Sequence, residues 1–248
     1  MKIKRVAVLP DIHFPYQDDK ALNAVLKYLG DHEWDEVVLL GDLLDFDQIS
    51  DHNKRRLKSL CRPLEDDYKI ANQFLDNLQE VTGHTKCSLL EGNHEERINR
   101  YIEANPSVQG LVEVPKCLRL KERGIKWVQS WSKSEVHQIG KANFIHGFYH
   151  SDSHAKTHVL AFEENVFYGH LHDFQQYSKR SRGNNKTKVG QSLGCLCDYE
   201  QYYMKNRPSR WQQGFAIFHF QPNGFFNYYP VMIFNGSFVS PEGGYYKG

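Results

Sequence analysis

Asp11, His13, Asp42, Asn93, His146, His170 and His172 are oxygen and nitrogen donors of the kind divalent metal ions take, and each follows an apolar run with the pattern of a buried strand. Asp11 and His13 follow Val6-Ala7-Val8-Leu9-Pro10. Residues two apart in an extended segment point the same way, so both can reach one ion. Asp42 follows Glu36-Val37-Val38-Leu39-Leu40 and Gly41, where a glycine lets the backbone turn sharply. Asn93 stands in Gly92-Asn93-His94-Glu95, between the strand-like Lys86 to Leu90 and the helical pattern of Glu96 to Ile102. His146 ends Ala142 to Ile145, and His170-Leu171-His172 repeats the two-apart spacing after Gly169. Together these donors suffice for two metal ions if Asp42 gives one carboxylate oxygen to each.

Taken singly, each segment has a plainer reading. Asp11-Ile12-His13 is also a solvated loop, Asp42 and Asp45 a turn, Asn93 a helix N-cap and His146 a structural histidine. Their common position at strand ends is what joins them. The spacing predicts a helix from Asp18 through Ala21, Leu22, Val25, Leu26 and Leu29 to Gly30, and another over Leu64 to Val81. Strand, helix and strand therefore alternate, which implies an α/β fold with a parallel sheet and its loops gathered at the C-terminal ends of the strands. Further strands are expected at Gly124 to Val128, Glu135 to Ile139, Ala142 to Ile145 and Asn165 to Tyr168. A hairpin is expected around Pro222-Asn223-Gly224, with its aromatics serving sheet packing. His154 and His158, one helical turn apart, read as surface or substrate-edge residues.

Lys and Arg number 31 against 30 Asp and Glu, so net charge recruits neither nucleic acid nor membrane, and attraction for an anion has to be local. Two stretches offer it. Lys54-Arg55-Arg56-Leu57-Lys58 is a solvated face or a basic lip over an anion site, and Lys179 to Lys188 is a solvated loop or a phosphate contact through Arg180, Arg182, Lys186 and Lys188. Five cysteines without framework spacing argue against a disulfide scaffold and for a reducing compartment, with Cys195 and Cys197 as buried thiols. The first residues have a basic flank but an apolar run too short for a signal peptide, and no later stretch is expected to span a bilayer. The expectation is one cytoplasmic domain over 1–248, β-rich from about 185, with no membrane partner.

The ordered motifs resemble the calcineurin-like metallophosphoesterase superfamily. Its D-x-H, G-D-x-x-D, G-N-H-E/D, lone His and G-H-x-H are matched by Asp11-Ile12-His13, Gly41-Asp42-Leu43-Leu44-Asp45, Gly92-Asn93-His94-Glu95, His146 and Gly169-His170-Leu171-His172, across residues 11 to 172. The resemblance implies a four-layer α/β/β/α sandwich with a dinuclear site at the strands' C-terminal ends. It assigns Asp11, His13, Asp42 and His172 to one metal and Asp42, Asn93, His146 and His170 to the other. His94 then contacts the scissile phosphate, oriented by Asp45.

Charge supports this chemistry independently. Two divalent cations face only Asp11 and Asp42 as ligand carboxylates, which leaves the site about two charges positive and suited to hydroxide and phosphate. Imidazole-rich ligation favours manganese, with iron, zinc or nickel as alternatives. In the superfamily's protein phosphatases the second motif continues with Arg-Gly, whereas Asp45 is followed here by Phe46-Asp47. The repair nucleases of the superfamily carry G-N-H-D where Glu95 stands here. The expected function is therefore a compact phosphodiesterase acting on a nucleotide, DNA or RNA through a metal-bridging hydroxide. A phosphomonoesterase is the alternative, and a non-catalytic scaffold on the same fold is the third reading.

Overall fold

Side-chain alternation in the first strands sets the layering. In β1 (Lys4–Leu9), Ala7 and Leu9 face one apolar cluster while Val6 and Val8 face another. β2 (Glu36–Leu39) repeats the pattern, with Val37 and Leu39 on the first side and Val38 on the second. A strand apolar on both faces has to be covered on both. In the computed structural model, which describes residues 2–51, 62–182, 187–200 and 207–248, helices cover one face and a second sheet covers the other. The basic run from Lys54 to Lys58, and Lys186, lie outside the described residues.

The helical side is filled by α1 (Asp19–Gly30) and α2 (Leu64–Val81). α1 starts where the Asp18 carboxylate accepts the backbone N–H of Ala21 at 2.8 Å, satisfying one of the free donors of the first turn. α2 buries Tyr68, Ala71, Phe74, Leu75 and Leu78, the stripe read from the sequence. The first sheet is completed by β3 (Cys87–Leu90) and β4 (Lys126–Val128), parallel to β1 and β2. Between these two strands lie α3 (Glu96–Ala104) and the short α4 (Val114–Cys117).

The second sheet comprises β5 (His137–Ile139), β6 (Ala142–Ile145), β7 (Asn165–Tyr168), β8 (Gln176–Arg180) and β9 (Thr187–Ser192), ordered β5-β6-β7-β9-β8. Its outer face packs against α5 (His154–Phe162) through Ile145, Val159, Val166 and Tyr168. Helix, sheet, sheet, helix is thus the order of layers. Neither sheet is wholly parallel. The chain returns through the hairpin β10 (Gly214–Phe220) and β11 (Phe226–Met232), which joins β1 antiparallel and makes the order β11-β10-β1-β2-β3-β4. Phe218 and Phe220 of this hairpin meet Phe144 and Phe167 between the sheets, the packing role expected of its aromatics. A last pair, β12 (Ser237–Val239) and β13 (Tyr245–Lys247), lies beside α1. No helix among the described residues is long and apolar enough to cross a membrane.

One expectation fails inside α5. His154 and His158 are buried, at 2% and 0% exposure, rather than at the surface. His154 bonds the Tyr168 hydroxyl at 2.7 Å and Asp173 at 3.0 Å. His158 Nε2 accepts the Phe148 N–H at 3.1 Å, so its proton sits on Nδ1 and goes to the His154 carbonyl at 2.8 Å. Both are satisfied core histidines.

Candidate dinuclear metal centre

The ends of β1, β2, β3, β6 and β7 open onto one edge, and the loops that leave them hold unusual backbone. Asp11, His13, Asp42, His170 and His172 all have positive φ, between 40° and 69°. For residues with a Cβ this costs on the order of 1 kcal/mol each, so the surroundings have to enforce it. They do so through hydrogen bonds from one loop to the next. His13 N–H donates to the Asp42 carbonyl at 2.9 Å, and Leu196 N–H to the Asp11 carbonyl at 3.0 Å. His170 N–H donates to the Asp11 carboxylate at 2.8 Å.

The donors form two clusters. Asp11, His13 and His172 make one and Asp42, His146 and His170 the other, with ligand atoms within 4.8 Å of each other inside each cluster. His13 Nε2 lies 3.1 Å from His172 Nε2, and His172 Nε2 lies 3.4 Å from Asp11 Oδ1. Asp42 Oδ2 stands between the clusters, 3.6 Å from His13 Nε2 and 3.2 Å from His146 Nε2. Asn93 Oδ1 completes the second side, 3.0 Å from His146 Nε2. Ligands held about 2.1 Å from one ion are separated by about 3.0–3.5 Å, so the closest pairs in each cluster stand at the separation of atoms that share an ion. The donor set fits, and the seven residues expected as ligands are brought together.

Partners behind the imidazoles fix their orientation, as ligand histidines need. His13 Nδ1 lies 3.1 Å from Asp45 Oδ2, His146 Nδ1 lies 2.9 Å from the Leu40 carbonyl, and His172 Nδ1 lies 3.8 Å from Cys197 Sγ. Burial works against ionised Asp45, but His94 beside it and hydrogen bonds from His13 and His94 outweigh it and hold the carboxyl well below its usual range. Two glycines leave room for the ligand carboxylates. A Cβ on Gly92 would come within 2.1 Å of Asp42 Oδ1, and one on Gly169 within 1.9 Å of Asp11 Oδ2.

His94 borders both clusters. Its ring centre lies 4.5 Å from that of His13, its Nδ1 is 2.9 Å from the Asp45 carbonyl, and its Nε2 is 3.9 Å from Asp42 Oδ2. Its side chain keeps 14% exposure, so the ring edge reaches the opening. Sequence reasoning missed several neighbours. Glu95 entered only as the last residue of the G-N-H-E/D match and as a departure from G-N-H-D, with no role assigned, yet its carboxylate binds three backbone N–H groups of the site. Burial raises its pKa, and the charge of Asp42 raises it further. Arg97, one helical turn beyond His94, touches both His94 and Asp45, and the i,i+3 spacing was the available signal. Trp131 packs 5.2 Å from the His170 ring and Trp211 4.3 Å from that of His172. Nothing in their local sequence marked either tryptophan.

The basic hairpin is not brought to the histidines. Tyr168, which leads into His170, pairs with Ser192, while Arg180 pairs with Thr187 and Lys179 with Lys188. The step from Ser192 back to Thr187 is about 16 Å along β9, which puts Arg180, Arg182 and Lys188 toward the other end of the sheet.

A dinuclear ligand set at the edge of an α/β/β/α sandwich defines a class of metal-dependent phosphoester hydrolases. The calcineurin-like phosphoesterase family model matches residues 4–174, and the chain belongs to that family. Two relatives are phage proteins, the gene 54 protein of Mycobacterium phage L5, 26% identical, and that of phage D29, 25% identical; each alignment covers 86% of this chain and 88% of the relative. Among solved structures, a Vps29 from Entamoeba histolytica complexed with Zn2+ matches with a TM-score of 0.50 and 14% identity, covering 94% of this chain and 95% of the other. That likeness is one of fold.

Proposed function

We propose that the chain is a dinuclear phosphodiesterase acting on a nucleotide or on the backbone of DNA or RNA. The observation that carries the reading is Asp42 standing between two histidine clusters with His94 at their rim. Asp11, His13, Asp42 and His172 would hold one cation, and Asp42, Asn93, His146 and His170 the other. Manganese suits this imidazole-rich set, with iron, zinc or nickel as alternatives; two such ions would polarise the phosphoryl group and acidify a water for in-line attack.

The chain's own groups supply the rest. His94, held through Nδ1 by the Asp45 carbonyl, presents Nε2 to the phosphate and passes a proton to the leaving oxygen. Asp45 keeps both His13 and His94 in place. Phe46, at the position where the superfamily's protein phosphatases carry arginine, is fully buried and packs 5.3 Å from the Tyr68 ring. That burial supports a site not built around a phosphoprotein. Half-buried Trp131 and Trp211, on opposite clusters, give the opening aromatic walls that suit nucleobases. The buried thiols Cys87, Cys195 and Cys197 support a reducing, cytoplasmic setting.

The test separates ligand from proton donor. His94→Ala should keep both metals and lose most diester turnover, whereas Asp42→Ala should lose metal and turnover together. Parent-like turnover of His94→Ala would remove the proposed role of that residue.

A further inference from the structure

Arg97 lies on the first turn of α3, three residues beyond His94, and its side chain is 16% exposed. Nη1 donates to the Asp45 carbonyl at 2.7 Å. Nη2 stands 3.0 Å from His94 Nε2. Among the described residues its one ion-pair partner is Asp45, at 3.6 Å, a carboxylate already shared with His13 and His94. A guanidinium is therefore kept at the mouth of the site largely by a carbonyl and an imidazole.

The tautomer of His94 gives this arrangement a direction. Its Nδ1 faces a carbonyl oxygen at 2.9 Å, which only an N–H can satisfy, so Nε2 offers the lone pair that Arg97 fills. An imidazole nitrogen is a weak acceptor for a guanidinium compared with an oxyanion. A phosphoryl group arriving beside His94 offers Nη2 an oxyanion in place of that nitrogen 3.0 Å away, which frees Nε2 to carry the proton it passes on. The second motif supplies no cation for this purpose, because the residue after Asp45 is the buried Phe46. Arg97 reaches the same Asp45 carbonyl from the opposite loop and brings the missing positive charge.

We propose that Arg97 is a substrate-binding residue whose guanidinium takes a non-bridging oxygen of the phosphoryl group beside His94. The inference rests on the phosphoesterase reading, since it supposes that a phosphoryl group enters this site. Its geometry asks for a fork of parallel donors rather than a point charge.

Inorganic phosphate binding to the manganese-loaded protein, followed by calorimetry, tests it without requiring turnover. Arg97→Gln should retain both metals and weaken phosphate about tenfold, and the same loss should recur in a His94→Ala background. Arg97→Met, which keeps the apolar stem, serves if the Gln variant fails to hold metal. Phosphate affinity within twofold of the parent would overturn the proposal. So would a loss confined to the protein with His94 intact, because Arg97 would then act only by holding that ring. The tenfold loss in Arg97→Gln, found where the parent binds phosphate but hydrolyses no ester, would uphold Arg97 as a phosphoryl-binding residue and sink the phosphodiesterase reading alone.

Discussion

Glu95 Oε2 accepts the backbone N–H of Asp42 at 2.9 Å, tying the loop after β2 to the loop after β3. The same oxygen takes the Gly92 N–H at 2.8 Å and Oε1 takes the Leu44 N–H at 2.9 Å. One buried carboxylate thus fixes the backbone that presents both Asp42 and Asn93. Glu95→Gln turns an acceptor into a donor facing an N–H, so metal affinity should fall about 10–100-fold and stability by about 1–3 kcal/mol. Metal titration and urea unfolding check this, and parent-like affinity would show that the loops hold themselves.

Gly169→Ala tests how closely the Asp11 carboxylate is packed. The added methyl would meet Asp11 Oδ2 at 1.9 Å, so the carboxylate has to leave the position where it faces His172. The variant should lose one metal equivalent and at least about tenfold in turnover, the scale of damage at a displaced ligand. Gly110→Ala is the control, since nothing lies within 4 Å of its added Cβ and only the strain of its positive φ remains. Full metal content in Gly169→Ala would contradict the packing argument.

His158 should make stability fall in mild acid. Burial, which strips water from the charged ring, lowers its pKa from 6.5 to about 4, and only the neutral ring accepts the Phe148 N–H. The folded pKa is depressed, so this contribution is complete above pH 6.5 and is lost as pH falls from 6.5 towards 4. The linkage amounts to about 2 kcal/mol between pH 7 and pH 5. Urea unfolding of the chelator-treated protein at the two pH values should show that difference, and His158→Gln should remove it. An equal difference in the variant would assign the acid sensitivity elsewhere.

The β8–β9 hairpin gives a separable prediction about substrate size. Arg180, Arg182 and Lys188 lie toward the far end of the second sheet from the metal ligands, so replacing them with Gln should leave hydrolysis of a small diester unchanged. If a polynucleotide runs along this sheet, the triple variant should bind it with a shallower dependence on salt, losing slope by roughly one unit for each phosphate contact removed. An unchanged slope would return the hairpin to a solvated loop.

How far the sequence disclosed this site depends on the kind of signal each residue leaves. Asp11, His13, Asp42 and the histidines after Ile145 and Tyr168 were legible because strand ends deliver them and strand periodicity is local. The layering came from the family resemblance, and the two-sided apolar pattern of β1 and β2 agrees with it. The antiparallel return of β10 beside β1 was not legible, because that pairing joins residues over two hundred positions apart and no local pattern selects it. His154 and His158 were misplaced for a similar reason. Their partners Tyr168, Asp173 and Phe148 come from other segments, and helical spacing alone cannot show a polar residue satisfied in a core. Glu95 and Arg97 stood in plain view within Gly92 to Arg97, but their roles depend on where the loop after β2 lies in space.

The central claim is best tested by hydrolysis of bis-p-nitrophenyl phosphate beside p-nitrophenyl phosphate, with manganese restored after chelation and the His94→Ala protein as control. Preference for the diester, abolished in the control, is the predicted result. Preference for the monoester, or no turnover of either ester with both metals bound, would contradict a phosphodiesterase.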